Sequence, residues 1–214
     1  MTRHILLADD HPVVLQGARM AITFADGDAN LRLHEVRSTD ALLEHLHQQP
    51  CDLLLTDFSM PNGRFPDGIT LIRYIRRHFP RLKVLVMTML NSPALLRAVL
   101  DQGVNGLFDK HRPLHELRTA VEHVGANREY LSPSFALLLK THGTSALLDT
   151  PLSQRELEVL RLFGQACSGR EIAERRNRSE KTISRQKRTA MEKLGLRHNG
   201  ELVEYVRRVG LNGS

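Results

Sequence analysis

The chain has 214 residues, 41% of them hydrophobic, and a formal net charge of +6. This length allows one large or two modest domains with packed cores, and two domains fit better. No apolar stretch approaches the roughly 20 residues that span a bilayer, and the N-terminus enters a strand at once, without a signal peptide. We therefore expect a cytoplasmic protein whose two cysteines, Cys51 and Cys167, are free thiols.

The charge is unevenly placed along the chain. Residues 1–128 carry 15 Lys and Arg against 14 Asp and Glu, whereas residues 129–214 carry 15 against 10. The positive excess therefore lies in the shorter C-terminal part, which indicates a polyanion partner there.

Strands and helices alternate in residues 1–128. Apolar runs predict strands at 5–8, 31–36, 53–55, 84–87 and 104–108. Helical spacing and capping residues predict helices from Pro12, over 40–47 and 68–79, from Ser92 to Gly103, and from Pro113 toward Gly125. This alternation predicts an α/β fold, a doubly wound parallel sheet of five strands with helices on both faces.

Chemically useful side chains follow four of these strands. Asp57 comes after a run with the continuous apolarity of a strand buried on both faces; Asp9-Asp10, Thr88 and Lys110 end three others. Ligands bind at the carboxyl ends of strands in open α/β sheets. A carboxylate nucleophile, acids for Mg²⁺ and fixed polar groups are what phosphoryl transfer needs, so we interpret Asp57 as a phosphate acceptor.

Each of these residues alone has an ordinary explanation, because acids and threonines at strand ends are usually turn formers or caps, and lysines are usually solvated. Their combination favours a phosphoryl-transfer site.

Among the 11 histidines, His111 and His115 are four residues apart, but Pro113 separates them, so the spacing does not favour a metal site.

Residues 1–128 resemble the receiver domain of bacterial two-component response regulators, through Asp9-Asp10, Asp57 followed by Met60-Pro61, Thr88 and Lys110. The resemblance implies that Asp57 takes a phosphoryl group from the phosphohistidine of a sensor kinase or phosphotransfer protein. It implies a Mg²⁺ site made by Asp9, Asp10, Asp57 and the Ser59 carbonyl, with Thr88 and Lys110 on the phosphoryl oxygens. One position departs from the family: receivers often carry Tyr or Phe three residues before the lysine, and here that residue is Leu107.

Residues 129–150 are predicted to be a linker with a short helix around Phe135, because Pro133, Gly143 and small polar residues surround it. A linker of this length lets two domains move relative to each other.

Residues 151–214 have a wholly helical pattern. Ser153 is expected to cap one helix, residues 169–176 form a second, and Ser179 caps a third that Gly195 ends. At 100° per residue, Ile183, Ala190 and Leu194 lie on one face of the third helix, and Lys181, Arg185, Arg188 and Glu192 lie on the other. This is the pattern of a helix-turn-helix whose second helix enters the major groove of DNA.

A solvated face of a small helical bundle is the alternative. Residues 170–193 hold nine Lys and Arg against four Glu, and so supply the whole C-terminal excess, which favours DNA. Residues 153–160, 171–173, 182–184 and 193–195 resemble the LuxR-type DNA-binding domain of NarL/FixJ regulators. The candidate DNA contacts are Lys181, Thr182, Ser184, Arg185, Lys187, Arg188 and Lys193.

Within that family, the long loop of residues 61–67, the segment 67–72 and the segment 184–187 resemble the Rcs capsule-synthesis regulators. Gln186 departs from a common histidine. The leading hypothesis is a phosphorylation-controlled transcription regulator that binds promoter DNA as a homodimer, with a heterodimer with an auxiliary regulator left open. The alternative is a phosphoryl sink or adaptor that acts by protein contacts. An enzyme such as an aspartyl-phosphate hydrolase is disfavoured, because no substrate-specific residues accompany the phosphorylation site.

Overall fold

The computed structural model describes residues 3–23, 31–61, 63–141, 152–194, 196, 198–208 and 211. Its N-terminal part is a parallel sheet flanked by helices. The strands are β1 (Arg3–Ala8), β2 (Leu31–Val36), β3 (Leu53–Asp57), β4 (Lys83–Thr88), β5 (Gly106–Asp109) and β6 (Tyr130–Leu131). The helices between them are α1 (Pro12–Thr23), α2 (Thr39–Gln48), α3 (Gly68–His78), α4 (Pro93–Leu100) and α5 (Glu116–Gly125).

The sheet has the strand order β2-β1-β3-β4-β5-β6, all pairs parallel. The α/β doubly wound fold predicted from the sequence is confirmed, but the prediction of five strands was wrong. The sixth strand is only two residues long and pairs Tyr130 with Gly106 and Leu131 with Leu107. A two-residue strand has no periodicity for a sequence pattern to detect, and it lies in the segment predicted to be a linker.

Some boundaries also differ from the predicted ones. The fourth helix ends at Leu100, because a turn precedes Gly103, whose φ of +76° is in the left-handed region that favours glycine. The fifth helix begins at Glu116, three residues after Pro113. Such shifts are common where the ends of elements fray or form single turns.

The two faces of the sheet are packed by different helices, because side chains alternate along each strand. On β1, Ile5 and Leu7 pack with α1 and α5, whereas Leu6 and Ala8 pack with α2, α3 and α4. All four side chains are buried. The sheet is thus covered on both faces, and its strand ends stay available at one edge.

The C-terminal part contains the helices α7 (Gln154–Gly164), α8 (Gly169–Arg175), α9 (Glu180–Lys193) and α10 (Asn199–Arg208). Ser153 and Ser168 form capping boxes with Glu156 and Glu171, and Ser179 caps α9. Asn177 has a φ of +49° in the turn between α8 and α9. The helix α10 was not predicted individually; it packs on α7 through its buried Leu202 and Val206.

The segment between the two parts contains α6 (Pro133–Thr141), which packs on α4. Its Phe135 is buried in the same core as Leu95 and Leu96 of α4. The rest of the predicted linker, residues 142–150, lies outside the described residues.

Within the described part of the chain, no helix is long and apolar enough to cross a membrane. Cys51 and Cys167 are both free thiols.

Candidate functional site

Three acids and a lysine meet at the carboxyl ends of β1, β3 and β5. The Lys110 ammonium lies 2.9 Å from the Asp57 carboxylate and 2.8 Å from the Asp9 carboxylate. All three side chains are buried. Asp10, the next residue after Asp9, contacts His11 Nδ1 at 2.9 Å. The parallel register brings these residues together, since β1 pairs with β3 and each strand ends at the same edge.

Burial raises the pKa of Asp57 to about 6, against the opposing effect of Lys110 and with a further rise from Asp9. Burial also acts to lower the pKa of Lys110, but the carboxylates of Asp57 and Asp9 outweigh it and raise that pKa. The ammonium is therefore held charged between two carboxylates. This arrangement places a nucleophilic oxygen beside a fixed positive charge in a poorly solvated site.

Asp9, Asp10, His11 and Asp57 each offer one ligand atom, and these atoms all lie within 4.8 Å of one another. Three carboxylates form a hard oxygen set of the kind that Mg²⁺ takes. His11 was not predicted as a site residue. Its backbone N–H and its ring both contact Asp9, at 3.0 and 3.4 Å, so its visible role is to hold the acids in place.

Thr88 and Ser59 flank the acidic cluster. Thr88 is buried at the end of β4, and its hydroxyl accepts the backbone N–H of Leu90 at 3.1 Å. The backbone N–H of Ser59 bonds the Asp57 carboxylate and acts to lower its pKa. The sequence-predicted receiver residues therefore lie on neighbouring strand ends.

Leu107 is fully buried, in the same core as Phe135 of α6. Its carbonyl accepts the N–H of Ser132 at 3.0 Å, and the Asp109 carboxylate accepts the Ser134 hydroxyl at 2.6 Å. This enclosed aliphatic side chain has no polar atom, so it offers Thr88 no hydrogen-bonding partner. Strand β5, which ends one residue before Lys110, is instead bonded directly to the start of α6.

The loop after Asp57 contacts both halves of the protein. On the receiver side, the Asp40 carboxylate accepts the N–H groups of Arg64 and Phe65 at 2.6 and 3.2 Å. On the other side, Arg161 of α7 lies 2.5 Å from the Asp67 carboxylate, with both side chains largely buried. Gln154 also donates to the Asp67 carbonyl at 3.3 Å. This contact between the loop and α7 was missed, because a sequence without a known partner gives no signal for it.

The outer face of α9 is polar and exposed. Lys181, Ser184, Arg185 and Arg188 are exposed, whereas Ile183 and Ala190 are buried on the opposite side. Neither Arg185 nor Arg188 has a hydrogen-bond or ion-pair partner within the described residues. The face is therefore open to a ligand in this structure.

Three of the candidate DNA contacts lie elsewhere on α9. Lys187 places its ammonium 4.1 Å from the centre of the Phe163 ring, and partial burial lowers its pKa. The Lys193 ammonium lies 2.9 Å from the Glu156 carboxylate. The Thr182 hydroxyl is hydrogen-bonded to the Ser179 hydroxyl. The structure therefore separates Lys187 and Lys193 from the outer face, because at 100° per residue they point toward α7.

Two family models match the chain: the response regulator receiver domain over residues 5–122, and the bacterial regulatory proteins of the luxR family over residues 150–206. The transcriptional regulatory protein RcsB of Salmonella typhi is 40% identical over 98% of this chain and 96% of its own length.

Solved structures of RcsB are also similar to this chain. RcsB from Salmonella enterica serovar Typhimurium, bound to a promoter in the presence of the phosphomimetic BeF₃⁻, has a TM-score of 0.75 at 39% identity, covering 97% of this chain and 99% of the other. A structure of two RcsB dimers bound to two DNAs has a TM-score of 0.63 at 38% identity, covering 98% and 100%. The family resemblance predicted from the sequence is thereby confirmed.

Proposed function

The chain belongs to the response regulators that join a receiver to a LuxR-type DNA-binding domain, and on that premise we propose that Asp57 is its phosphorylation site and that the outer face of α9 reads promoter DNA. The observation that carries the proposal is the pairing of Lys110 with both Asp57 and Asp9 at the strand ends. As a transcription regulator, the protein acts through DNA binding and not through turnover of a substrate, and we place it in the cytoplasm.

In the proposed reaction, an Asp57 carboxylate oxygen attacks the phosphorus of a phosphohistidine. The phosphorus–nitrogen bond breaks, an aspartyl phosphate forms, and the imidazole leaves with the electron pair. Lys110, fixed 2.9 Å from Asp57, compensates the negative charge of the transferred oxygens, and Thr88 donates to them as they arrive.

Mg²⁺ fits the acidic cluster, because Asp9, Asp10 and Asp57 offer hard oxygens within reach of one another. These side chains and the Ser59 carbonyl would hold it. When bound, the ion supplies positive charge to the phosphoryl oxygens.

We predict that phosphorylation shifts the protein from monomer toward a homodimer on a two-fold site. Two recognition helices must meet the major groove about 34 Å apart, one turn of DNA, which two symmetric copies achieve. Sedimentation with and without beryllofluoride measures the mass. Unchanged mass together with unchanged DNA affinity would remove phosphorylation from the mechanism. A heterodimer with an auxiliary regulator would use the same helix geometry.

We predict that Arg185 and Arg188 read bases and that Lys181 holds the backbone. A guanidinium can bridge two acceptors on guanine, whereas a lysine near the start of a helix more often meets phosphate. Arg185→Ala or Arg188→Ala should cost about 1 to 3 kcal/mol on the operator and relax preference at one or two base positions. Lys181→Ala should weaken specific and random DNA alike and reduce the slope of log affinity against log salt by about one.

A competition titration of operator against random DNA tests this assignment. If all three variants lose affinity equally on both DNAs, the residues supply only positive potential. The same binding assay addresses the adaptor alternative: a phosphorylated protein with no salt-dependent affinity for any duplex would act through protein contacts instead.

A further inference from the structure

Three histidines, His4, His34 and His45, form a cluster on one face of the receiver sheet. His4 lies on β1, His34 on the edge strand β2, and His45 on α2, which packs on that face. His34 is paired in register with Leu6, two residues after His4, so the side chains of His4 and His34 point to the same face. The ring centres of His4 and His34 are 6.1 Å apart, and those of His34 and His45 are 4.7 Å apart. None of the three belongs to the proposed phosphorylation site or to the candidate DNA contacts.

The histidine cluster is separate from the acidic cluster. His4 lies near the amino end of β1, whereas Asp9 follows the carboxyl end of the same strand. Five steps along an extended strand, at about 3.3 Å each, separate the two residues by roughly 16 Å. A ligand held by the histidines therefore does not use the carboxylates that we assign to Mg²⁺.

Two ring nitrogens of the histidine cluster are buried and have no hydrogen-bond partner among the described residues. They are Nδ1 of His4 and Nε2 of His45. A buried polar atom without a partner costs free energy, because it has given up its hydrogen bond to water. Burial, and then the neighbouring rings of His34 and His4, lower the pKa of His45, so its imidazole is neutral at neutral pH. A neutral imidazole carries a free lone pair on one nitrogen, and this is the form that binds a metal ion.

The spacing of the rings suits one shared metal ion. With metal–nitrogen distances of about 2.0 to 2.1 Å, two imidazoles on the same ion have ring centres roughly 5 Å apart. His34 and His45 already have this spacing. The nitrogens of all three rings do not converge within 4.8 Å of one another as the ligand atoms of the acidic cluster do. The His4 ring is therefore the one that must approach, by roughly 1 Å, a shift that rotation of its side chain can supply.

The chemistry of the donors selects the class of ion. Imidazole nitrogens favour borderline transition metals such as Zn²⁺, Ni²⁺ and Cu²⁺, whereas Mg²⁺ takes oxygen ligands. The carboxylate of Asp52 accepts the backbone N–H of His4 at 2.8 Å, which places negative charge beside the cluster. A dication is thus met by three nitrogen donors and a neighbouring carboxylate.

We propose that His4, His34 and His45 bind one divalent transition-metal ion of the zinc class, each through one ring nitrogen, with water completing the coordination. The ligands come from two strands and one helix, so the ion fastens β2 and α2 to β1. Strand β2 has a partner strand on one side only, and it gains the most from such a link. Because the unfolded chain does not hold the three rings together, metal binding stabilises the folded receiver.

The test is a Zn²⁺ titration of the full chain against a chromophoric chelator, with excess Mg²⁺ present to compete at the acidic cluster. One equivalent of Zn²⁺ should bind. His4→Gln, His34→Gln and His45→Gln should each weaken binding by more than about 100-fold, since loss of groups that merely support metal ligands already costs about 10- to 100-fold. His115→Gln is the matched control, because it removes an exposed receiver histidine outside the cluster. Circular dichroism checks that each variant is folded.

A second measurement does not depend on the variants. Zn²⁺ should shift the NMR ring signals of three of the 11 histidines and slow amide exchange in β2. Co²⁺ in its place should give the visible absorption of a site with nitrogen ligands. Acidification below the ordinary pKa of histidine should release the ion, because a protonated imidazole cannot bind it.

The outcomes separate this inference from the proposed function. A chain that takes up no Zn²⁺, or one whose Zn²⁺ affinity is the same in all three cluster variants, would disprove the histidine site. Zn²⁺ binding that excess Mg²⁺ abolishes would assign the ion to the acidic cluster and also refute the proposal. Phosphorylation of Asp57 and DNA binding are measured separately and do not depend on any of these results.

Discussion

Asp57→Asn is expected to abolish phosphorylation and, with it, the phosphorylation-dependent gain in DNA affinity. An amide oxygen is a poor nucleophile and a weaker cation ligand than a carboxylate oxygen. The substitution also removes one of the two carboxylates that hold Lys110, at 2.9 Å. Because Asp57 is buried beside Asp9, losing its charge relieves repulsion, and we expect thermal stability to be unchanged or higher.

The mass of the protein is measured after incubation with a small-molecule phosphodonor and Mg²⁺. It is measured again after treatment with hydroxylamine, which cleaves acyl phosphates. Asp10→Asn should slow phosphorylation without abolishing it, since Asp10 offers a ligand atom but not the nucleophile. Asp101→Asn is the matched control, because it removes an exposed carboxylate at the end of α4. Hydroxylamine-labile phosphate at the wild-type rate in Asp57→Asn would refute the assignment.

Much of the proposed phosphorylation site could be predicted because it depends on two local properties. Apolar runs mark buried parallel strands, and the residue that ends each run must lie at the same edge of the sheet. Asp9, Asp57, Thr88 and Lys110 could therefore be grouped before any distance was known. In the structure, the Lys110 ammonium lies within 2.9 Å of the Asp57 carboxylate and 2.8 Å of the Asp9 carboxylate.

The helical domain was predictable for a similar reason. Serines that precede helical runs cap their free N–H groups, so Ser153 and Ser179 indicated the starts of α7 and α9, and both are N-caps in the structure. The buried side of α9 follows from its periodicity. Periodicity does not say which polar residues find partners nearby, so the contacts of Lys187 with Phe163 and of Lys193 with Glu156 required the structure.

Contacts between distant segments were not predictable. Strand β6 has two residues and depends on its neighbour for pairing. The pairing of Asp67 with Arg161 joins residues 94 positions apart, through two side chains that are individually unremarkable as surface charges. A single sequence contains no signal that couples such positions.

That pairing gives a physical route from Asp57 to the DNA-binding domain. The loop begins beside the proposed phosphorylation site, where the Ser59 N–H bonds Asp57, and ends at Asp67, which pairs with Arg161 of α7. Thr39 and Asp40 hold its middle through the backbone of Phe65 and Arg64. Because the outer face of α9 stays exposed in this arrangement, the contact positions the DNA-binding domain without covering that face.

Arg161→Ala is therefore expected to uncouple the two domains while leaving each competent. Removing one partner leaves the largely buried Asp67 carboxylate without its counter-charge, which costs up to about 3 to 5 kcal/mol in the docked arrangement, and separation of the domains avoids that cost. Phosphorylation of Asp57 and affinity for a single half-site should be unchanged. The gain in affinity for a two-half-site operator on phosphorylation should fall.

The decisive measurement is a double-mutant cycle on the equilibrium between docked and separated domains. Energy transfer between labels on α3 and α10 reports the distance between the domains. Arg161→Ala and Asp67→Ala should each lengthen that distance, and their effects should not add, with a coupling of about 0.5 to 3 kcal/mol. The exchange of charges, Asp67→Arg with Arg161→Asp, should restore part of the docking, whereas Arg118→Ala, which breaks an exposed pair with Glu122, should change nothing. Additive effects of the two alanine variants would mean that Asp67 and Arg161 act independently, and the route from Asp57 to α7 would then have to run through α6 and its bond to Asp109.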